Sequence, residues 1–131
     1  MKLSTVPVMA NQLPWNELVL QGRRTFKTIS FNWQHRGKIL LYNSTTIDQD
    51  GCLSYDISLE DAKKLPRMAI VGIATVTDVY DDGDCFVVEL VDPKRFKKPI
   101  PFKPKQGCVR VFRAPARFLR RSRRGDNTPR I

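Results

Sequence analysis

Apolar positions along the chain switch between helical and strand spacing, and the switches divide it into elements. Trp15, Leu18 and Val19 fall at i, i+3 and i+4 behind Pro14, which suits a first helical turn, and Gly22 follows as a left-handed terminator. This spacing predicts a short helix over residues 14–21. β-Branched and aromatic content rises from Thr25 to Phe31, and beyond NWQHRG the run KILLYN reads as a strand buried on both faces, with Gly37 at the turn between them. The polar stretch 43–56, NSTTIDQDGCLSYD, reads as a loop. SLEDAKKL (58–65) opens with Ser58 three residues before Asp61, a variant of the capping box, and is predicted helical as far as Pro66.

The remainder is mostly β. MAIVGIATVTDVY (68–80), the turn DDGD and CFVVELV (85–91) form a predicted hairpin, with Phe86, Val88 and Leu90 sharing one face of its second strand. Four prolines in residues 92–107 exclude a helix and a central strand, so this stretch is expected to run as an extended loop or edge with its six cations exposed. CVRVFR (108–113) supplies a last strand, and the Arg-rich segment after it is either a short basic helix or disordered. Trp15, Phe86 and Phe112 are expected in the core. The pattern as a whole predicts an α+β, mainly β fold: a compact mixed β-barrel with two or three short helices at its open ends.

Composition adds a partner class. The chain has 131 residues, 41% of them hydrophobic, which allows one domain with a core of its own. Twenty-three Lys and Arg against thirteen Asp and Glu give a formal charge of +10, favouring a polyanionic partner. The excess is uneven, since residues 113–131 alone hold seven Arg and one Asp. Cys52, Cys85 and Cys108 are odd in number and widely spaced, so neither a disulfide framework nor a zinc site is indicated. A reducing, cytoplasmic setting is expected, and no stretch is long and apolar enough for a membrane span.

Two motifs carry a resemblance. QLPWNELVLQGRRTFKT, followed by Trp33, Arg36, Gly37 and the strand from Lys38 to Leu41, resembles the opening of ASCH domains, members of the PUA-like superfamily. IVGIATVTDVY and PIPFKPKQGCVRVF resemble that family's central and closing strands. The resemblance implies an N-terminal extension (1–10), a PUA-like barrel over 11–115 and an Arg-rich tail (116–131), with a cleft beside the first helix. It also implies RNA binding and, in some members, hydrolysis of an acylated pyrimidine nucleoside. The family stretch G-x-K-x-x-E-x-R is altered here: Gly22 is kept, whereas Arg24, Lys27 and Ile29 replace its lysine, glutamate and arginine. Arginine is a poor proton shuttle. The hydrolase alternative, an amidohydrolase acting on a modified cytidine, therefore rests on Lys27 with Thr25 and Glu89, and binding without catalysis is the reading preferred.

Phosphate contacts are expected from Arg23, Arg24, Lys27, Arg36 and Lys38, with His35 as a phosphate contact or loop residue and Trp33 as a stacking surface for a base. Lys94, Arg95, Lys97, Lys98, Lys103 and Lys105, interleaved with Phe96 and Phe102, extend the track as a groove with aromatic platforms. Arg120 and Arg121 add sequence-blind attraction from the tail. Solvated surface charge, or an ion pair of Lys27 with Glu17 or Glu89, is the structural alternative. Asp78, Asp81, Asp82 and Asp84 fit a hairpin tip better than a calcium loop, so no metal or cofactor is expected. The partner read from the residues is nucleic acid, RNA in preference to DNA, with an acidic protein as the alternative.

Overall fold

The computed structural model describes residues 5–104 and 111–124. Six strands form one mixed sheet: β1 (Thr5–Leu13), β2 (Phe26–Ile29), β3 (Gly37–Ile47), β4 (Ala69–Asp81), β5 (Phe86–Pro101) and β6 (Val111–Pro115), in the order β2-β5-β4-β3-β1-β6. β1 and β3 are parallel, and the other pairings are antiparallel. A parallel pair needs a crossover. Here the crossover carries helix α1 (Trp15–Leu20) and β2. Two further helices, α2 (Gln49–Ser54) and α3 (Leu59–Lys63), lie between β3 and β4, and a 3-10 helix (Ala116–Arg124) closes the described chain. The fold is α+β and mainly β, as the pattern predicts. Among the described residues the sheet is not closed by hydrogen bonds, so its terminal strands are β2 and β6.

The KILLYN run shows why the sheet has two buried faces. Ile39 and Leu41 pack with Val19, Leu20 and Val88 in one cluster, whereas Leu40 and Tyr42 pack with Val8, Phe96 and Ile100 in another. Alternate side chains of one strand thus enter cores on opposite sides, and this requires a continuous apolar run. α1 covers the first cluster, and Phe118 and Leu119 of the 3-10 helix cover the second. A third, smaller cluster joins Leu18 to Cys52, Ile57 and Ala62, fixing α2 and α3 against the outer side of α1.

Two sequence expectations are corrected, and a third, the extended edge at the proline-rich stretch, is refined. Residues 5–10 are no extension: β1 lies between β3 and β6, and Val8 is fully buried. The predicted loop 43–56 contains the end of β3 and all of α2. Its polar side chains conceal both elements because they bond inward: Asp48 caps α2 by accepting from Gly51 N–H at 3.1 Å, and Asn43 donates to the Pro66 carbonyl at 2.9 Å. The proline-rich stretch is extended as expected, yet its first ten residues are the second half of β5 and pair with β4. β2 pairs β5 only at Phe86–Glu89, so the prolines lie where the strand has a single neighbour and their missing N–H groups cost no ladder bonds.

That half-strand carries the one fully buried ion pair among the described residues. The Arg95 guanidinium is bidentate to the Glu17 carboxylate, at 2.5 and 2.9 Å, and both side chains are at most 4% exposed. Gln21 Nε2 adds a 2.8 Å bond to Glu17. The pair clamps α1 onto the sheet at Gly72, where an added Cβ would lie 2.4 Å from the Lys94 carbonyl oxygen and 2.8 Å from Leu20 Cδ2. Removing one partner of a buried pair leaves an uncompensated charge, whereas replacing both by apolar residues does not. Arg95→Ala is therefore expected to cost about 3–5 kcal/mol in urea unfolding, and Glu17→Leu with Arg95→Met to recover most of that loss. Gly72→Ala should cost about 1–3 kcal/mol through overpacking against backbone.

Candidate nucleic-acid interface

The sequence LQGRRTFK is shaped by the way α1 ends. Gly22 has φ +75°, its N–H bonds the Val19 carbonyl at 3.0 Å, and the Arg23 N–H bonds the Leu18 carbonyl at 2.9 Å. These are the paired closing bonds of a Schellman cap. The chain therefore leaves the helix abruptly and delivers Arg23, Arg24 and Lys27 beside the aromatic side chains of Trp15, Phe26 and Tyr55. The Arg24 guanidinium lies 4.2 Å from the Trp15 ring centroid and 4.3 Å from that of Phe26, and bonds the Phe26 carbonyl at 2.9 Å. Lys27 Nζ is 5.3 Å from the Trp15 ring, and Arg23 donates to the Tyr55 carbonyl at 2.6 Å. Cations above ring faces are held by the ring quadrupole. The structure brings the three expected cations together but turns each onto an aromatic or carbonyl group.

Trp15 is the centre of this arrangement and is half-buried rather than a core residue. Its indole N–H donates to Asp48 Oδ2 at 3.0 Å, its edge meets Tyr55, and its ring lies where a Cβ on Gly51 would be 2.7 Å away. Asp48 thus caps α2 and orients the indole at once.

The second expected group lies on the segment between β2 and β3 and at the start of β3. Arg36 bonds the carbonyls of Trp33 and His35 at 3.0 Å and lies 3.8 Å from Asp78. Trp33 packs against the first core cluster and tilts over His35 at 5.6 Å, while His35 Nε2 is 3.1 Å from the Lys38 carbonyl. Lys38 is exposed.

On the third group the structure is selective. Lys94, Lys97, Lys98 and Lys103 are exposed, but Arg95 is buried on Glu17 and leaves the accessible set. The aromatic platforms are corrected too. Phe96 is 1% exposed, and Phe102 stacks on Phe112 at 5.6 Å with its rings 7° from parallel and meets the edge of Phe118. The sheet has a core on each side, so the consecutive residues Arg95 and Phe96 are both buried, Arg95 on Glu17 and Phe96 in the second cluster, while Lys97 and Lys98 are both exposed. The same aromatic packing sets the 3-10 helix beside the end of β5, so Arg117 and Arg120 adjoin the lysines there. Lys105 and the side chain of Arg121 lie outside the described residues.

A cleft of about 640 Å³ opens where the curled sheet brings its two ends together, lined among others by Asn11, Lys27, Ser30, Thr46, Cys85 and Val111. No sequence motif marks Asn11. It donates to Asn16 Oδ1 at 2.8 Å, and Asn16 in turn donates to the Tyr42 carbonyl and to Asn43 Oδ1. Three asparagines beside apolar runs are the signal the sequence offers, since a buried amide is retained only where its bonds are met. The hydrolase trio is not assembled: Thr25 and Glu89 line a different cleft, of about 650 Å³, from the one that Lys27 lines.

The acidic tip is a turn, as expected. Asp81 accepts from Gly83 N–H at 2.8 Å and Asp82 from the N–H groups of Asp84 and Cys85. Among the described residues no group of acids, His and Cys is placed to hold a metal, and no helix is long and apolar enough to cross a membrane. The chain matches no family model and no curated protein. The Cys85 thiol is pushed up from its ordinary range by partial desolvation and by its contact with the Asp82 carboxylate at 3.4 Å. A raised pKa means less thiolate at any given pH. Alkylation of Cys85 by iodoacetamide, followed by peptide mapping at about pH 8, should therefore be slow and should quicken in Asp82→Asn.

Proposed function

We propose that this chain is a nucleic-acid-binding module of the ASCH, PUA-like type, taking RNA in preference to DNA and acting without catalysis. The observation that carries the reading is the basic end of the molecule. Lys97, Lys98, Lys103, Arg117 and Arg120 are all exposed on the adjoining ends of β5 and the 3-10 helix, and among the described residues none of them forms an ion pair. Uncompensated cations on one face are what a phosphate backbone meets, and released counterions make such binding steeply salt-dependent.

The seam cleft supports RNA over duplex DNA. Its lining includes amide and hydroxyl groups of Asn11, Gln12, Thr28, Ser30, Ser44 and Thr46, and its volume is within the range of small-ligand sites. Neutral donors and acceptors of this kind read the edge of an unstacked base, which single-stranded RNA offers and a duplex does not. A PUA-like barrel is the finer form of the curled six-strand sheet, with α1 beside the seam, that fits this reading.

Fluorescence anisotropy of the full chain with single-stranded RNA, duplex RNA and duplex DNA, each at two salt concentrations, tests it. Single-stranded RNA should bind most tightly. Lys97→Ala with Lys98→Ala should weaken every polymer alike and lower the logarithmic salt slope by about one for each phosphate no longer neutralised. Arg24→Ala, whose guanidinium is already held between rings, should leave that slope unchanged. Undetectable or salt-independent binding ends the proposal.

A further inference from the structure

The charge of this protein is sorted along its longest hairpin. Residues 68–93 contain Asp78, Asp81, Asp82, Asp84, Glu89 and Asp92 and no lysine or arginine, in a chain whose net charge is +10. Residues 94–104 follow directly with four lysines, Arg95 and no acid. Pairing runs the ladder from Asp81–Phe86 at one end to Ala69–Pro101 at the other, so the acids of the hairpin tip and the lysines beyond Phe96 lie toward opposite ends, with Asp92 and Lys94 near the middle.

The acidic end also carries a groove with an apolar floor. Val19, Val87 and Leu90 lie beneath, while Phe26, Tyr80 and Val91 line it at 37%, 44% and 39% exposure. These are three of the seven large hydrophobic residues exposed among those described. Asp82, Glu89 and Asp92 line the same groove, are exposed, and form no ion pair among the described residues, while the one cation in its lining, Arg24, is held on the Phe26 ring and carbonyl. An apolar surface rimmed by polar groups marks an interaction site, and its charge selects the partner.

We infer that this groove docks the basic end of a second copy of the same chain, head to tail. The complementary surface is the one formed by Lys97, Lys98, Lys103, Arg117 and Arg120. Within one molecule the two are held apart along β5, the groove running from Val87 to Pro93 and Lys97 and Lys98 following beyond Phe96. Between molecules they can, with the aliphatic stems of lysine and arginine covering the rings and Val91 while their charged ends reach Glu89 and Asp92. The interface is heterologous: each copy uses a different surface at each end, and a bound pair keeps one surface of each kind free. Exposed ion pairs are individually weak and screened by salt, so the association is concentration-dependent and disappears at high ionic strength.

Sedimentation velocity of the full chain, free of nucleic acid, reads this directly. At about 0.05 M salt the sedimentation coefficient should rise with protein concentration, and at about 0.5 M salt, where the Debye length is well under about 10 Å, it should not. Glu89→Gln with Asp92→Asn should be monomeric at low salt, as should Lys97→Ala with Lys98→Ala. Mixed together, the two variants should form a 1:1 complex, since the first retains the basic end and the second the groove. That recovery also establishes that both variants are folded. A wild-type chain that stays monomeric at low salt, a groove variant that still self-associates, or a mixture with no 1:1 complex would each overturn the inference.

Discussion

The carboxylate of Glu17 and the guanidinium of Arg95, 78 residues apart in sequence, meet in the interior with almost no exposure. Two charges are taken out of water there, at a cost recovered only because the geometry is bidentate and Gln21 adds a further bond to the carboxylate. The consequence is positional. α1 is set on the sheet at one rotation, which sends Val19 and Leu20 into the first core, Leu18 toward α2 and α3, and Trp15 to the boundary with solvent. The second half of β5, which has β4 as its single strand neighbour, is held in the same act.

The exposed chemistry follows from that placement. Once α1 is seated, its Schellman end releases the chain toward β2 and lodges Arg23, Arg24 and Lys27 among Trp15, Phe26 and Tyr55. Once β5 is seated, its lysines point outward beside Arg117 and Arg120. The cations nearest the first helix are thus held by internal contacts, as is Arg95, and Arg117 lies 5.2 Å from the Phe118 ring centroid, while the lysines of the proline-rich strand and Arg120 are left to solvent. Local density of charge in sequence is a poor guide to availability; what matters is whether a ring or carbonyl lies within reach.

Charge sorting along β4 and β5 gives the molecule a long-range polarity that its net charge of +10 does not convey. A polyanion approaching such a molecule is attracted at one end and repelled at the other, which fixes orientation before any contact is made. The seam cleft is lined mainly by amide, hydroxyl and apolar groups, with Lys27 and Asp84 as its two charged residues.

Much of the local structure is legible in the chain. α1 with its glycine terminator, the Ser58 cap of α3, the β4–β5 hairpin and the doubly buried KILLYN strand follow from period, caps and turn residues, because each depends on neighbours a few positions away. Polar residues that bond inward defeat the same approach at 43–56, since an asparagine satisfied in the core reads like one in solvent. Arg95 and Phe96 are misplaced by it for a related reason: composition counts their charge and aromaticity, but which side of a strand faces the core is set by its partners. The central place of β1, the approach of the sheet's ends to form a cleft, and the burial of Glu17 against Arg95 are decided only by tertiary structure. Each joins groups distant along the chain, and no local spacing encodes the register that brings them together.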